Sequence, residues 1–218
     1  MASAAGRKEH RIPPQRQAVN VACKFIMTLP FLKLSYQKTD YKTFVDFWSD
    51  YYIFSPKDNL YTDRINKSKF TKTDIEMLFE WKNGMKVNGH IPKQASIDKV
   101  VSRLTQVNKL KAHFDLTYFK KHFSDIAAIW QIFLLHIIQP TQFPIFVQHV
   151  YRAHIFLVNK TITEIPNHQP HKLKYYHNNY LPFFDTLKSE ITDLRKIDLA
   201  LWAFGKFLKT HYAKKLVD

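Results

Sequence analysis

The stretch IAAIWQIFLLHII, residues 126–138, decides the fold. Its apolar side chains would lie on every side of a helix rather than on one face, which is typical of a helix buried all round. The stretch carries Gln131 and His136, and it is shorter than the roughly 18 apolar residues that a membrane span needs. We therefore expect a central helix around which the rest of the fold packs.

Helical patterns continue on both sides of this stretch. One helix is predicted to start at Thr71 and Asp74, which can cap its N terminus, and to end at the left-handed turn of Asn83-Gly84. Only 4 of the 218 residues are glycine, which weighs against a sandwich or barrel with many tight turns. We expect an all-α fold, a compact array of about eight helices.

The N-terminal segment differs from the rest of the chain. Residues 1–20 contain Arg7, Lys8, Arg11 and Arg16 but lack apolar periodicity, which predicts a flexible basic arm. A transit peptide is the alternative, because Glu9 is the only acidic residue there. Residues 21–218 are expected to form a single helical domain, since 45% of the chain is hydrophobic and 15% aromatic.

Charge and cysteine content narrow the function. The chain has 33 Lys and Arg against 18 Asp and Glu, a net charge of +15, which favours an anionic partner, foremost nucleic acid. A cationic surface without a specific ligand is the alternative. Cys23 is the only cysteine, so we expect no disulfide framework and a reducing compartment, cytoplasm or nucleus, rather than secretion.

Two further segments suggest a family. Residues 123–127 have the sequence FSDIA, and residues 144–152 have the sequence PIFVQHVYR. Together with the apolar stretch between them, they resemble the core of the helix-hairpin-helix DNA glycosylases over about thirty residues. In that family a hairpin Leu-Pro-Gly-Val-Gly precedes an aspartate that opens a helix as Asp-x-His-Val-x-Arg. His149, Val150 and Arg152 match the second pattern, and the aspartate falls on Val147.

The resemblance implies a monomeric protein without a cofactor that binds duplex DNA, flips a modified, damaged or mismatched base and hydrolyses its N-glycosidic bond. It places the catalytic residues at Val147 and His149. Bond cleavage builds positive charge on the sugar, which a carboxylate stabilises and a valine does not. Excision is therefore expected to be slow unless another carboxylate serves; Asp125, Asp185 and Asp198 are the candidates.

The resemblance also implies where DNA binds. Contacts are expected from the hairpin and from the start of the following helix, at Ser124, Ile126, Ala127, Gln148 and Arg152. Arg152 would hold either a phosphate or a carboxylate. Lysines on and beside the helix predicted to start at Thr71 suggest a phosphate-facing patch or a solvated face. Among them are Lys69, Lys82 and Lys86. The base pocket is expected near Val147 and the central helix, at Trp81, Trp130 and Phe146.

Two departures from the family pattern leave other functions open. The hairpin glycines fall on Asp125 and Ala127, and Asp125 would repel a phosphate unless it is turned away or bridged by a cation. The lysine of the bifunctional members falls on Ile129, which favours a monofunctional enzyme. The histidines at 168, 171 and 177 lack the spacing of a zinc site, so no metal is expected. The alternatives are a non-catalytic helical DNA- or RNA-binding module and a domain that binds acidic proteins.

Overall fold

The computed structural model describes residues 38–84 and 91–214, with the backbone alone at residues 91, 92 and 214. Within these ranges the chain is all-α, as predicted, and contains no strand. The predicted arm, residues 1–20, and Lys86 lie outside the described residues. The α-helices are α1 Tyr41–Ser49, α2 Asn59–Thr62, α3 Lys72–Asn83, α4 Ile91–Ser102, α5 Leu104–Ala112, α6 Leu116–Phe123, α7 Ala128–Ile138, α8 Gln148–Asn159, α9 Gln169–Tyr175, α10 Leu181–Glu190, α11 Leu194–Phe207 and α12 His211–Lys214.

The described helices outnumber the predicted eight because several are short. α2 and α12 have four residues each and α9 has seven, too few for an apolar period to be recognised in the sequence. A 3-10 turn at Pro56–Asp58 precedes α2, and a π-helical turn at Tyr176–Tyr180 joins α9 to α10. None of the helices in the described residues is long and apolar enough to cross a membrane.

The central helix is α7, as the sequence predicts. Ten of its eleven residues are buried, including both polar ones. His136 is satisfied on both ring nitrogens: Nδ1 donates to the carbonyl of Phe143 at 2.7 Å, and Nε2 accepts from the hydroxyl of Tyr61 at 2.8 Å. Burial lowers the pKa of His136 to about 3, so the ring is neutral. The Gln131 amide donates to the carbonyl of Ile126 at 2.6 Å.

Helix α11 packs against both α1 and α8. Its contact with α8 is unusually close at Gly205, where an added Cβ would lie 2.5 Å from the carbonyl carbon of His149 and nearer still to the oxygen. Glycine therefore sets the distance between the two helices. On the other side, Asp46 of α1 accepts from Lys196 of α11 at 2.5 Å.

Replacing Gly205 by alanine is expected to destabilise the fold by about 3 kcal/mol, the upper end of overpacking costs, because the obstructing atoms belong to backbone that cannot rotate away. Denaturant unfolding measures this. Gly84→Ala is the matched control: its φ is +76° and nothing lies within 4 Å of the added Cβ, so only the left-handed backbone is strained, at about 1 kcal/mol. Equal losses in the two variants would contradict the close approach of α8 and α11.

Candidate functional site

Val147 lies immediately before helix α8, as predicted from the sequence. It is the N-cap residue, with extended backbone (φ −137°, ψ 172°) and no side-chain cap. Because valine accepts no hydrogen bond, the first N–H groups of α8 lack a side-chain partner at this position. The partly buried side chain of Val147 lines a cavity of about 320 Å³. We call this space the Val147 cavity.

Four segments distant in sequence build the Val147 cavity: the connection after α1, the end of α3, the start of α8 and the first half of α11. The apolar floor consists of Ile145, Val147, Val150 and Leu199. The aromatic residues of the wall are Tyr52, Trp81 and Trp202. The charged residues are Lys57, Asp58, Lys82, Arg195 and Asp198.

A buried carboxylate, that of Asp58, holds two side chains of the aromatic wall in place. Asp58 Oδ1 accepts from the indole N–H of Trp81 at 3.0 Å and from the hydroxyl of Tyr52 at 2.8 Å, and Oδ2 accepts from the N–H of Ser55 at 2.8 Å. Burial raises the pKa of Asp58, but these hydrogen bonds outweigh it and hold the pKa below its ordinary value. Asp58 therefore stays ionised and orients both rings.

Asp198 is a second carboxylate of the cavity, and it is only partly satisfied. Its residue is 6% exposed, and Oδ1 has no hydrogen-bond partner among the described residues. Burial raises the pKa of Asp198 to about 7, against the opposing effects of Arg195 and the N–H of Ile145. A buried polar atom without a partner is costly, and such groups in clefts are candidates for function. Asp198 can thus change its charge near neutral pH inside the cavity.

Lys82 does not form the surface patch that the sequence suggested. Its ammonium donates to the carbonyl of Phe146 at 3.1 Å and lies 5.7 Å from the centre of the Phe133 ring. Burial lowers the pKa of Lys82 to about 7. The amine therefore belongs to the cavity wall beside the start of α8, whereas Lys69 is exposed.

Arg195 supplies a cation that is held by aromatic rings. Its guanidinium carbon lies 4.7 Å from the ring centre of Tyr61, 5.5 Å from that of Trp81 and 5.9 Å from that of Tyr52. These are favourable cation–π distances. Within the part of the chain that the structure describes, no carboxylate lies within 4.0 Å of Arg195. The guanidinium is therefore positioned but available to a further anion.

The predicted hairpin is the four-residue connection between α6 and α7, and it does not line the Val147 cavity. Ser124 and Ala127 are exposed, whereas the side chain of Ile126 is buried and so does not reach DNA as predicted.

Asp125 is exposed too, and two cations bridge it. Its carboxylate pairs with the Arg103 guanidinium at 2.5 and 2.9 Å and with Lys99 at 3.2 Å. The Arg103 contact holds the pKa of Asp125 well below its usual range. Asp125 therefore lies away from the Val147 cavity, and its charge is compensated as a phosphate contact would require.

Of the motif residues of α8, Val150 lines the cavity, whereas Gln148 and Arg152 turn away from it. Arg152 is 1% exposed and donates to the carbonyl of Gly205 at 2.7 Å and to Glu164 at 2.5 Å, so it clamps a carboxylate and does not contact phosphate. The Gln148 side chain accepts from the N–H of Ile165 at 3.1 Å. These side chains connect α8 to α11 and to the non-helical segment that follows α8. Contacts within the fold therefore account for their spacing, and no contact with DNA is needed to explain it.

His149 lies behind the cavity wall rather than in it. Its ring packs edge-on against Trp202 with centroids 5.2 Å apart, and Nδ1 accepts from Arg152 at 3.1 Å. Burial, reinforced by the charge of Arg152, lowers the pKa of His149. The His149 ring therefore supports Trp202 from behind and does not line the cavity, where the motif predicted a catalytic residue.

Of the three predicted base-pocket residues, Trp81 alone lines the cavity. Trp130 stacks on Phe79 in the core with centroids 5.0 Å apart, and Phe146 is 1% exposed; both predictions are wrong because apolar rings next to a central helix pack inward. The sequence did not single out Tyr52, Arg195 or Trp202 as site residues. The one available signal was helical spacing, which puts Arg195, Asp198 and Trp202 on one face of α11.

No protein-family model, characterised protein or solved structure matches this chain. The assignment of its function therefore rests on the residues that meet in the Val147 cavity.

Proposed function

We propose that this protein binds duplex DNA, extrudes a modified or damaged base into the Val147 cavity and hydrolyses the N-glycosidic bond with Asp198 as the essential carboxylate. One observation carries the proposal. A buried carboxylate with an unpartnered oxygen, Asp198 of α11, lines the same aromatic-walled cavity as Val147, the residue before α8 on which the aspartate of the glycosylase pattern falls.

The chemistry requires a negative charge beside the sugar. As the bond between base and sugar breaks, positive charge builds on the deoxyribose, and an ionised carboxylate stabilises that charge and orients the attacking water. Asp198 can take this role, and the apolar floor around Val147 strengthens its effect because a dry environment screens charges weakly. A phosphate of the bent DNA strand would bind at the N-terminal end of α8, because the helix dipole favours anions there.

The walls suit a planar base. Trp81 and Tyr52 are held by Asp58 before any ligand arrives, so stacking on them costs little ordering entropy. Stacking of a base on an aromatic ring contributes about 1–3 kcal/mol. The cavity volume of about 320 Å³ lies at the lower end of the range for small-ligand sites, about 300–1,000 Å³.

The charges of the cavity favour a neutral base. Arg195 already lies against the faces of Trp81 and Tyr52, whereas the Asp58 carboxylate meets only the polar edges of these rings through hydrogen bonds. A cationic N-alkylated purine would therefore meet like charge at the aromatic wall. A neutral oxidised, deaminated or mismatched base meets no such penalty.

The test is an assay for abasic sites on duplexes that each carry one lesion. The panel contains neutral lesions, such as uracil and 8-oxoguanine, and a cationic N-methylated purine. We expect product from a neutral lesion and little from the cationic one. Borohydride is added in parallel, because a covalent adduct that forms with the wild type and is lost in Lys82→Met would show that the Lys82 amine, rather than water, attacks the sugar. DNA binding without product from the wild type and from Val147→Asp on every lesion would leave the non-catalytic binding module.

DNA affinity is expected to fall steeply as salt rises. Lysine and arginine side chains that neutralise phosphates release condensed counterions, so several such contacts reduce the affinity by about 10³-fold or more between roughly 50 and 200 mM salt. Fluorescence anisotropy with an unmodified duplex measures this loss. A flat response over that range would contradict electrostatic binding of DNA, whatever the result of the glycosylase assay.

A further inference from the structure

An apolar tip projects beside the mouth of the Val147 cavity. It lies in the connection between α1 and the 3-10 turn, where Ile53 is 80% exposed and Phe54 is 63% exposed. Ile53 also lines the cavity. Single exposed apolar residues are ordinary, but here Tyr51 and Phe47 of the same region are more than half exposed as well. Four exposed apolar side chains within residues 47–54 mark a surface that meets a partner.

The tip is held in place rather than loose. Tyr52 and Ser55, on either side of it, are both hydrogen bonded to Asp58 at 2.8 Å. The ring of Phe54 packs edge-on against Tyr52 with centroids 4.9 Å apart, and Tyr52 packs in the same way against Trp202 at 5.0 Å. Ile53 and Phe54 are therefore presented on the same support that orients the aromatic wall.

We propose that Ile53 and Phe54 form a wedge that enters the base stack of duplex DNA and fills the gap left by the base in the Val147 cavity. This inference rests on the proposed function and names the residues that extrude the base. Proteins that kink DNA insert apolar side chains between base steps, because an apolar ring or branched chain can replace the lost stacking contacts. A wedge must stand beside the pocket that receives the base, and Ile53 lies at both places.

Charge identifies duplex DNA as the occupant of this surface. Lys57 and Arg195 line the same cavity mouth, so an apolar tip is flanked by cations. Base steps are apolar planes bordered by phosphates, which is the complementary arrangement. An acidic protein would be attracted by the cations, but it offers no flat apolar gap for Ile53 and Phe54.

The experiment uses a duplex with 2-aminopurine beside the lesion, whose fluorescence rises when stacking is lost. The double variant Ile53→Ala/Phe54→Ala is compared with the wild type and with Val158→Ala, an equally exposed apolar residue near the end of α8 (58%) that does not line the cavity. We expect the double variant to bind DNA within about threefold of the wild type, and to lose at least about tenfold in fluorescence change and in excision rate. Val158→Ala should match the wild type in both, and Ile53→Leu should retain most of the signal.

Three results are decisive against the wedge. If the wild type excises the base and the double variant extrudes and excises equally well, the wedge assignment is wrong while the proposed function stands. If the wild type binds DNA but gives neither fluorescence change nor product, the proposed function fails and the wedge with it. If light scattering shows a dimer for the wild type and a monomer for the double variant, the tip is an interface between copies of the chain.

Discussion

Asp198→Asn is expected to reduce the single-turnover rate of abasic-site formation by about 10²–10⁴-fold and to leave DNA affinity nearly unchanged. Asparagine keeps the shape of the side chain but lacks the negative charge that stabilises the sugar cation. Asp185→Asn is the matched control, because that carboxylate is 62% exposed and pairs with Lys188 on the surface. Equal rates for Asp198→Asn and the wild type would remove Asp198 from the mechanism.

The pH dependence of the rate follows from the same residue. The pKa of Asp198 is raised to about 7, chiefly by burial, so the ionised fraction grows as pH rises through 7. We expect the rate to rise with it, with an inflection near pH 7. Lys82 titrates in the same range, whereas the lowered pKa of Asp58 keeps that carboxylate ionised. Lys82→Met therefore separates the two groups: the inflection persists if it belongs to Asp198.

Asp198→Asn is also expected to stabilise the fold at neutral pH. A carboxyl whose folded pKa is raised contributes stability that is present below its ordinary pKa of 3.8 and is lost as pH rises through about 7. The difference between those two pKa values corresponds to roughly 4 kcal/mol, and asparagine does not titrate. Denaturant unfolding should therefore show the variant gaining stability over the wild type from pH 4 to pH 7. A loss of both rate and stability would indicate a merely structural carboxylate.

Val147→Asp is expected to accelerate excision by about 10²-fold or more, with little change in DNA affinity. The new carboxylate would stand at the start of α8 with the Lys82 ammonium nearby, since Lys82 donates to the carbonyl of the preceding residue, Phe146. The helix dipole favours its ionised form. It would also cap the free N–H groups of α8, which stabilises a protein by about 1 kcal/mol.

Val147→Asn separates charge from capping. Asparagine caps a helix as well as aspartate does, so this variant should gain stability without gaining rate. Combining Val147→Asp with Asp198→Asn tests whether the two carboxylates do the same work: the double variant should retain most of the acceleration if position 147 can replace Asp198. If Val147→Asn is as fast as Val147→Asp, the effect is one of local structure and the assigned chemistry is wrong.

The sequence predicted the parts of this protein that depend on local pattern. The all-round apolar character of residues 126–138 identified α7, and the residues before α8 located its start. The direction in which the side chains of α8 point could not be predicted in the same way. Arg152 and His149 have the spacing of a DNA-binding motif, but Gly205 lets α11 approach so closely that Arg152 is enclosed and His149 is half-buried.

The composition of the candidate site was harder to predict. Asp198 and Tyr52 are separated by most of the chain and meet only because α11 packs against both α1 and α8. Carboxylates on amphipathic helices are usually solvated, and nothing local to Asp198 distinguishes it from Asp185. Its distinction comes from burial, which is a property of the packed molecule.

The close packing of α11 against α8 determines which side of the Val147 cavity can move. Backbone meets backbone at Gly205 without an intervening side chain, so we expect α8 and α11 to move together. Val147, on the floor of the cavity, and Asp198 belong to this pair of helices. On the opposite side of the cavity, Trp81 and Tyr52 are held by their hydrogen bonds to Asp58. Any widening of the mouth to admit a nucleotide must therefore occur on the Asp58 side, and a bulkier ligand should displace Tyr52 and Trp81 before it shifts α8.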